Sequence, residues 1–152
     1  MTKALRLITF RVGPETFAAD IMAVRQVVMY EGSTAVPSAP AFVEGVIVYR
    51  GEAVPVIDLR GRFFPDAETP GEQPLVMITS SKKGPVGLKV DEVRTVVNCT
   101  TDDLLPAPEI VRGVRAEYLV AIVERGGELL LVLDLEAILT EDEQRELARI
   151  SE

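Results

Sequence analysis

Four aspartates (Asp20, Asp58, Asp91 and Asp134), one cysteine (Cys99) and the run Ser80-Ser81-Lys82-Lys83-Gly84 are the residues of this chain whose types could do chemistry. Carboxylates that share acid–base work must converge on one substrate bond. Here Asp58 and Asp134 instead close separate apolar runs, Val56-Ile57-Asp58 and Val132-Leu133-Asp134. That is the place of an Asx turn or a helix cap. Cys99 stands between Asn98 and Thr100 in a chain with no histidine, so the usual activator of a thiol is missing, as are the commonest general base and metal ligand. The serine–lysine run lacks the glycine spacing of a phosphate loop and reads as a turn between strands. No catalytic residue, metal site or cofactor is expected, and the chain cannot itself carry phosphate on histidine.

If the residues are not arranged for catalysis, the elements that hold them decide what the chain does. The strongest signal is an internal echo. Ala23-Val24-Arg25-Gln26-Val27-Val28 returns as Glu92-Val93-Arg94-Thr95-Val96-Val97, and Pro40-Ala41-Phe42-Val43-Glu44-Gly45-Val46 as Pro108-Glu109-Ile110-Val111-Arg112-Gly113-Val114. Arg50-Gly51 with Val56-Ile57-Asp58-Leu59 returns as Arg125-Gly126 with Val132-Leu133-Asp134-Leu135. Three blocks in the same order indicate a duplication. Gly45 and Gly113 hold one place in the two copies, where positive φ or a close strand approach would require glycine.

Each copy reads as short strands between turns. Ile8, Phe10 and Val12 alternate with Thr9 and Arg11, and Gly13-Pro14-Glu15 then turns the chain. Val46–Tyr49 and Ala53–Ile57 flank Arg50-Gly51-Glu52 as a hairpin; Ala121–Val123 and Leu129–Leu133 do so around Arg125-Gly126-Gly127. Val36-Pro37-Ser38-Ala39-Pro40 and Leu105-Pro106-Ala107-Pro108 are proline-stiffened connections that no central strand accommodates. About five strands per copy predict small closed barrels. Thr140 and Glu143 form a capping box that opens a short polar helix over 140–150. The composition agrees with an all-β domain: 47% apolar, 5% aromatic and rich in valine, so aliphatic side chains are expected to fill the interior. The formal charge of −8, with scattered basic residues, weighs against nucleic acid. No run approaches a membrane span, and the amino-terminal residues pass straight into strand alternation without a signal-peptide core, so a cytoplasmic protein is expected.

Three stretches carry a resemblance. Phe17-Ala18-Ala19-Asp20-Ile21-Met22-Ala23-Val24-Arg25-Gln26-Val27 is similar to the segment of CheW-like domains in which an aromatic precedes a small-residue/Asp pair and an apolar strand. Pro40–Ile47, Tyr49-Arg50-Gly51 and Val54–Arg60 resemble that family's hairpin, and Glu117-Tyr118-Leu119 with Leu131–Glu136 resemble its end. The likeness runs through about nine-tenths of the chain. It implies one domain over 1–152 made of two SH3-like five-stranded β-barrels sharing a core, with approximate lobes 10–70 and 71–139 and the helix 140–150.

The resemblance further implies a scaffold of bacterial chemosensory signalling that couples methyl-accepting receptors to a CheA-type histidine kinase through its regulatory domain, without catalysis. It implies a receptor-binding set of Ile21, Val24, Val27, Gly45, Arg50 and Gly51, and a kinase-binding set of Val28, Val36 and Pro37. A monomer in solution is expected. Two positions depart from the family: Val48-Tyr49 stand where Asn-Leu is usual, and Gln26 where an acid is common. These bear on partner choice, since complementary surfaces set it. The alternatives are a kinase-only or receptor-only scaffold of an accessory system, and a small-molecule-binding duplicated barrel.

Overall fold

A computed structural model describes residues 2–65, 73–81, 84–106 and 118–150. The alternating amino-terminal segment forms Ala4–Val12 (β1), and Gly13, at φ 57, turns it back into Glu15–Asp20 (β2). Val24–Met29 (β3), Val43–Tyr49 (β4) and Glu52–Asp58 (β5) follow, then a short helix, Leu59–Phe63 (α1). The same sequence of elements returns as Leu75–Ser81 (β6), Gly84–Val90 (β7), Glu92–Thr100 (β8), Leu119–Arg125 (β9) and Glu128–Leu133 (β10). A capped helix, Glu141–Ile150 (α2), closes the chain. Among the described residues the fold is all-β apart from short 3-10 turns and the helical ends of each repeat.

The strands form two five-stranded sheets, β8-β1-β2-β10-β9 and β3-β6-β7-β5-β4. In each, a parallel pair (β2 with β10, β5 with β7) joins two antiparallel groups. The sheets do not follow a division at residue 70. Each takes a hairpin from one repeat and three strands from the other: β1–β2 joins β8–β10, and β6–β7 joins β3–β5. The crossings are short, a 3-10 turn at Ile21–Ala23 after β2 and the single residue Asp91 after β7. At these two links the chain leaves one sheet for the other instead of turning back as a hairpin. Beyond each fifth strand an isolated bridge, Thr34 to Val46 and Leu105 to Ile122, brings the opposite edges together and rolls the sheet into a barrel.

Burial follows from this arrangement. Val54, Val56, Val76 and Ile78 fill one barrel; Leu7, Ala18, Cys99, Ala121, Val123, Leu130 and Val132 fill the other. The opposite faces meet in a larger shared seam. Aliphatic side chains fill the barrels as composition predicted, but the seam is built on rings. Phe10 and Phe17 lie 6.0 Å apart, Phe17 and Phe63 5.3 Å, and Phe63 and Tyr118 5.2 Å. All five phenylalanines and Tyr118 lie in or against this seam.

The aspartates take structural roles. Asp58 accepts from the Arg60 amide and Asp134 from the Glu136 amide, capping the turn after β5 and β10. Asp20 accepts from the Met22 amide in the same way. Asp91 is different. It is buried, accepts from the Gly13 amide at 2.6 Å, and pairs with Arg60 at 3.2 Å and Arg11 at 3.8 Å. One carboxylate thus ties the β1–β2 turn, α1 and the β7–β8 crossing together. Cys99 is buried inside its barrel, where burial first and the charge of Asp103 second push its thiol up. A thiol held neutral in this way is a packing group.

Candidate functional site

The ladder registers put the start of β3, the end of β6, the start of β7 and the β4–β5 turn at one end of their sheet. Ile21 and Val24 therefore share an end of the molecule with Arg50 and Gly51, and Val27 lies farther along β3. Ile21, Val24 and Val27 are half-buried and pack against the shared seam, so each gives part of its surface to the core. Met22, between them in the 3-10 turn, is 86% exposed. Strand alternation alone concealed it, because the turn breaks the period and swings this side chain outward. Val48 is also exposed, at 78%, on the strand leading to Arg50. Side chains so exposed contribute little to the core.

Arg50 has an unusual backbone. The β4–β5 turn is a two-residue hairpin loop, with Tyr49 opposite Glu52, Arg50 at φ 50 and Gly51 at φ 78. Both central residues are left-handed, the type I′ pattern that normally takes Asn-Gly or Gly-Gly. The second hairpin obeys that preference with Gly126 at φ 59 and Gly127 at φ 81, between Arg125 and Glu128. Residue for residue, Gly126 stands where Arg50 stands, and Arg125 stands where Tyr49 does. The apparent arginine echo was a one-residue misalignment of the hairpins. Arg125 instead donates to the carbonyl of Asn98, anchoring the turn to β8. Arg50 lies over the Tyr49 ring, 5.3 Å from its centroid, and among the described residues no carboxylate pairs with it. An exposed, unpaired cation is thus held at a position that prefers glycine.

Gly45 is buried and needs its glycine for close approach, since its φ is not positive. A Cβ there would lie 2.4 Å from the Ser33 hydroxyl and 2.9 Å from the Thr34 carbonyl, so it permits the bridge that closes the barrel and offers no surface of its own. Gly113 lies outside the described residues, as does the rest of the second copy of its block. Val28 also turns inward, packing with Tyr30, Ile47 and Tyr49 against the first barrel's interior. Val36 and Pro37 do not share its face. They belong to an open depression beside α2.

Beside Gly45, Lys89 donates to Glu44 at 2.8 Å and lies 4.4 Å from the Tyr30 ring centroid, while Tyr30 and Ser33 share a hydrogen bond at 3.0 Å. Burial opposes the Lys89 charge, but the bond and charge of Glu44 outweigh it and hold the ammonium above its usual range. Burial, followed by Glu44, raises Tyr30. The cluster secures the barrel edge and presents no activated nucleophile. Among the described residues no group of three or more metal-ligating side chains converges, and no helix is long and apolar enough to cross a membrane.

Comparison with known proteins places this geometry. Over 93% of this chain and 91% of the other, the fold matches the crystal structure of scaffolding protein TtCheW from Thermoanaerobacter tengcongensis with a TM-score of 0.82 at 24% identity. The chain is 31% identical to chemotaxis protein CheW of Treponema pallidum over 149 residues, covering 95% of this chain and 88% of that protein. It is 31% identical to Protein FrzA of Myxococcus xanthus over 145 residues, covering 92% and 88%. The CheW-like domain matches residues 6–143, and with nearly the whole chain accounted for, this protein belongs to the CheW-like family.

Proposed function

We propose that this chain is a non-catalytic chemosensory scaffold that joins methyl-accepting receptors to a CheA-type histidine kinase in the cytoplasm. The observation that carries the reading is the β4–β5 turn. Arg50 occupies a left-handed position that the equivalent hairpin gives to glycine, has no carboxylate partner among the described residues, and shares its end of the sheet with Ile21, Met22 and Val24. Backbone strain at a surface turn, at the same end of the sheet as the exposed Met22, suits a contact residue better than a folding residue. A helical receptor tip, with an apolar stripe and a carboxylate, has the complementary chemistry. Gly51 shapes this contact and Gly45 only supports the barrel edge behind it.

The kinase contact falls on the same barrel, at Val36 and Pro37, and Val28 supports it from within. The test is titration calorimetry of the purified protein against the kinase and, separately, against a receptor signalling fragment from the same organism. Saturable binding of both is expected. Binding of the kinase alone, or of the receptor alone, would reduce the role to a one-partner scaffold.

A further inference from the structure

Thiol and thioether sulfur are the protein atoms most readily oxidised, and how fast each reacts follows its exposure. The fold sorts the sulfur atoms of this chain sharply. Cys99, the single thiol, is buried inside its barrel, and Met77 is fully buried in the shared seam. Met22 and Met29, by contrast, are 86% and 64% exposed. Among the described residues a dissolved oxidant therefore meets thioethers and no thiol.

The two exposed methionines differ in place. Val24 lies opposite Thr79 and Met29 opposite Leu75, so Met22 stands just beyond one end of β3 and Met29 at the other. Met22 is the middle residue of the 3-10 turn Ile21–Ala23. Its amide donates to the Asp20 carboxylate at 2.9 Å, and the Val24 amide donates to the Ile21 carbonyl. Ile21 and Ala23, on either side, pack against the seam. The backbone is thus pinned before and after Met22 while its side chain reaches into solvent. An oxygen atom added to that sulfur disturbs nothing inside the fold, and only a partner resting on it would register the change.

We infer that Met22 is a site of reversible oxidation by peroxide to methionine sulfoxide, and that the sulfoxide weakens the receptor contact. The thioether sulfur attacks one peroxide oxygen, and the S–O bond forms as the O–O bond breaks. The departing hydroxide takes the proton of the transferred oxygen and leaves as water. Sulfur loses two electrons and the peroxide gains them. A flexible apolar side chain becomes a polar one, and the apolar stripe of a receptor helix leaves the new oxygen without a donor. Methionine sulfoxide reductases reverse the step, two thiols becoming a disulfide while the oxygen departs in water. The inference rests on the scaffold reading above and adds a redox control to its receptor contact.

The experiment treats the full chain with hydrogen peroxide, removes the oxidant with catalase, locates sulfoxide by peptide mass spectrometry and then titrates a receptor signalling fragment. Met22 and Met29 are expected to oxidise at least about tenfold faster than Met77, at an unchanged melting temperature. Receptor affinity is expected to fall about tenfold and to recover after treatment with reductases for both sulfoxide epimers. Treated Met29→Leu should show the same fall. Met22→Leu, whatever its starting affinity, should show no change on treatment. Sulfoxide at Met22 without loss of affinity would overturn the inference and, since the untreated chain binds, leave the scaffold reading in place. An equal loss in treated Met22→Leu would also overturn it, by tracing the effect to another residue. An untreated chain that binds no receptor fragment would overturn both the inference and the receptor contact on which it rests.

Discussion

Replacing Arg50 by glycine and, separately, by alanine separates what this residue does for the fold from what it does for a partner. Arg50 sits at φ 50 with its guanidinium 5.3 Å from the Tyr49 ring centroid. A left-handed conformation costs a non-glycine residue about 1–2 kcal/mol. An exposed cation–π contact returns about 0.5–1 kcal/mol. Alanine keeps the strain and loses the contact, so Arg50→Ala is expected to destabilise by about 0.5–1 kcal/mol. Glycine loses the same contact and relieves the strain, at an unfolded-state entropy cost of about 0.4–1 kcal/mol. Arg50→Gly should therefore stay within about 1 kcal/mol of wild type and exceed Arg50→Ala in stability. Receptor binding should weaken in both by the same amount, about 1–3 kcal/mol for an interface anchor. Urea unfolding supplies the first comparison and titration of a receptor signalling fragment the second. An alanine variant as stable as the glycine variant would refute the backbone argument, and unchanged receptor affinity in both would refute the contact. Arg125→Ala is the control, since Arg125 anchors its own turn and should alter stability with little effect on receptor affinity.

Four further outcomes follow from the geometry. Met22→Glu changes a side chain that is 86% exposed, so receptor binding should be lost at an unchanged melting temperature; Val24→Glu should lose binding with a modest fall in melting temperature, because Val24 also packs on the seam. Gly45→Ala should destabilise by about 1–3 kcal/mol and speed hydrogen exchange at the Val46 amide, since the new methyl meets Ser33 and Thr34. Asp91→Ala strands the Gly13 amide and leaves Arg60 uncompensated, and denaturant unfolding should record a loss of about 3–5 kcal/mol. For Glu143, burial raises the carboxyl, but the Arg62 hydrogen bond and the Thr140 cap outweigh it and hold its pKa below the usual value. A carboxyl lowered in the folded state stabilises fully above its unfolded pKa of about 4.3 and loses that contribution as pH falls through the folded value. Acid titration followed by circular dichroism should show α2 loosening below that range, and Glu143→Gln should remove this pH dependence.

Features governed by near neighbours in the chain could be read from residue type. The hairpins, the caps at Asp58 and Asp134 and the box at Thr140 each depend on residues within a few positions, and the structure has them there. Which strand joins which sheet depends on contacts far apart in the chain. Alternation in β1 gives the same buried face whether its neighbours are β3–β5 or β8–β10, so the crossing at Asp91 left no local mark. The exposure of Met22 and the inward turn of Val28 had the same cause, since a 3-10 turn and a barrel curvature both shift the period of two. Gly45 was legible as an obligatory glycine, yet whether it served torsion or proximity required the Ser33–Thr34 segment to be seen against it.

The exchange of hairpins between the repeats has a mechanical consequence. One barrel takes all its strands from between Val24 and Val90, while the other is closed from strands on both sides of that stretch, so the two stay tied by both links, Ile21–Ala23 and Asp91. A scaffold of two barrels on a flexible tether would let its partners adopt many mutual angles, and a shift in one would dissipate in the tether. In this nested form the shared aromatic seam fixes the two barrels against each other, and a displacement pressed on one is passed to the other.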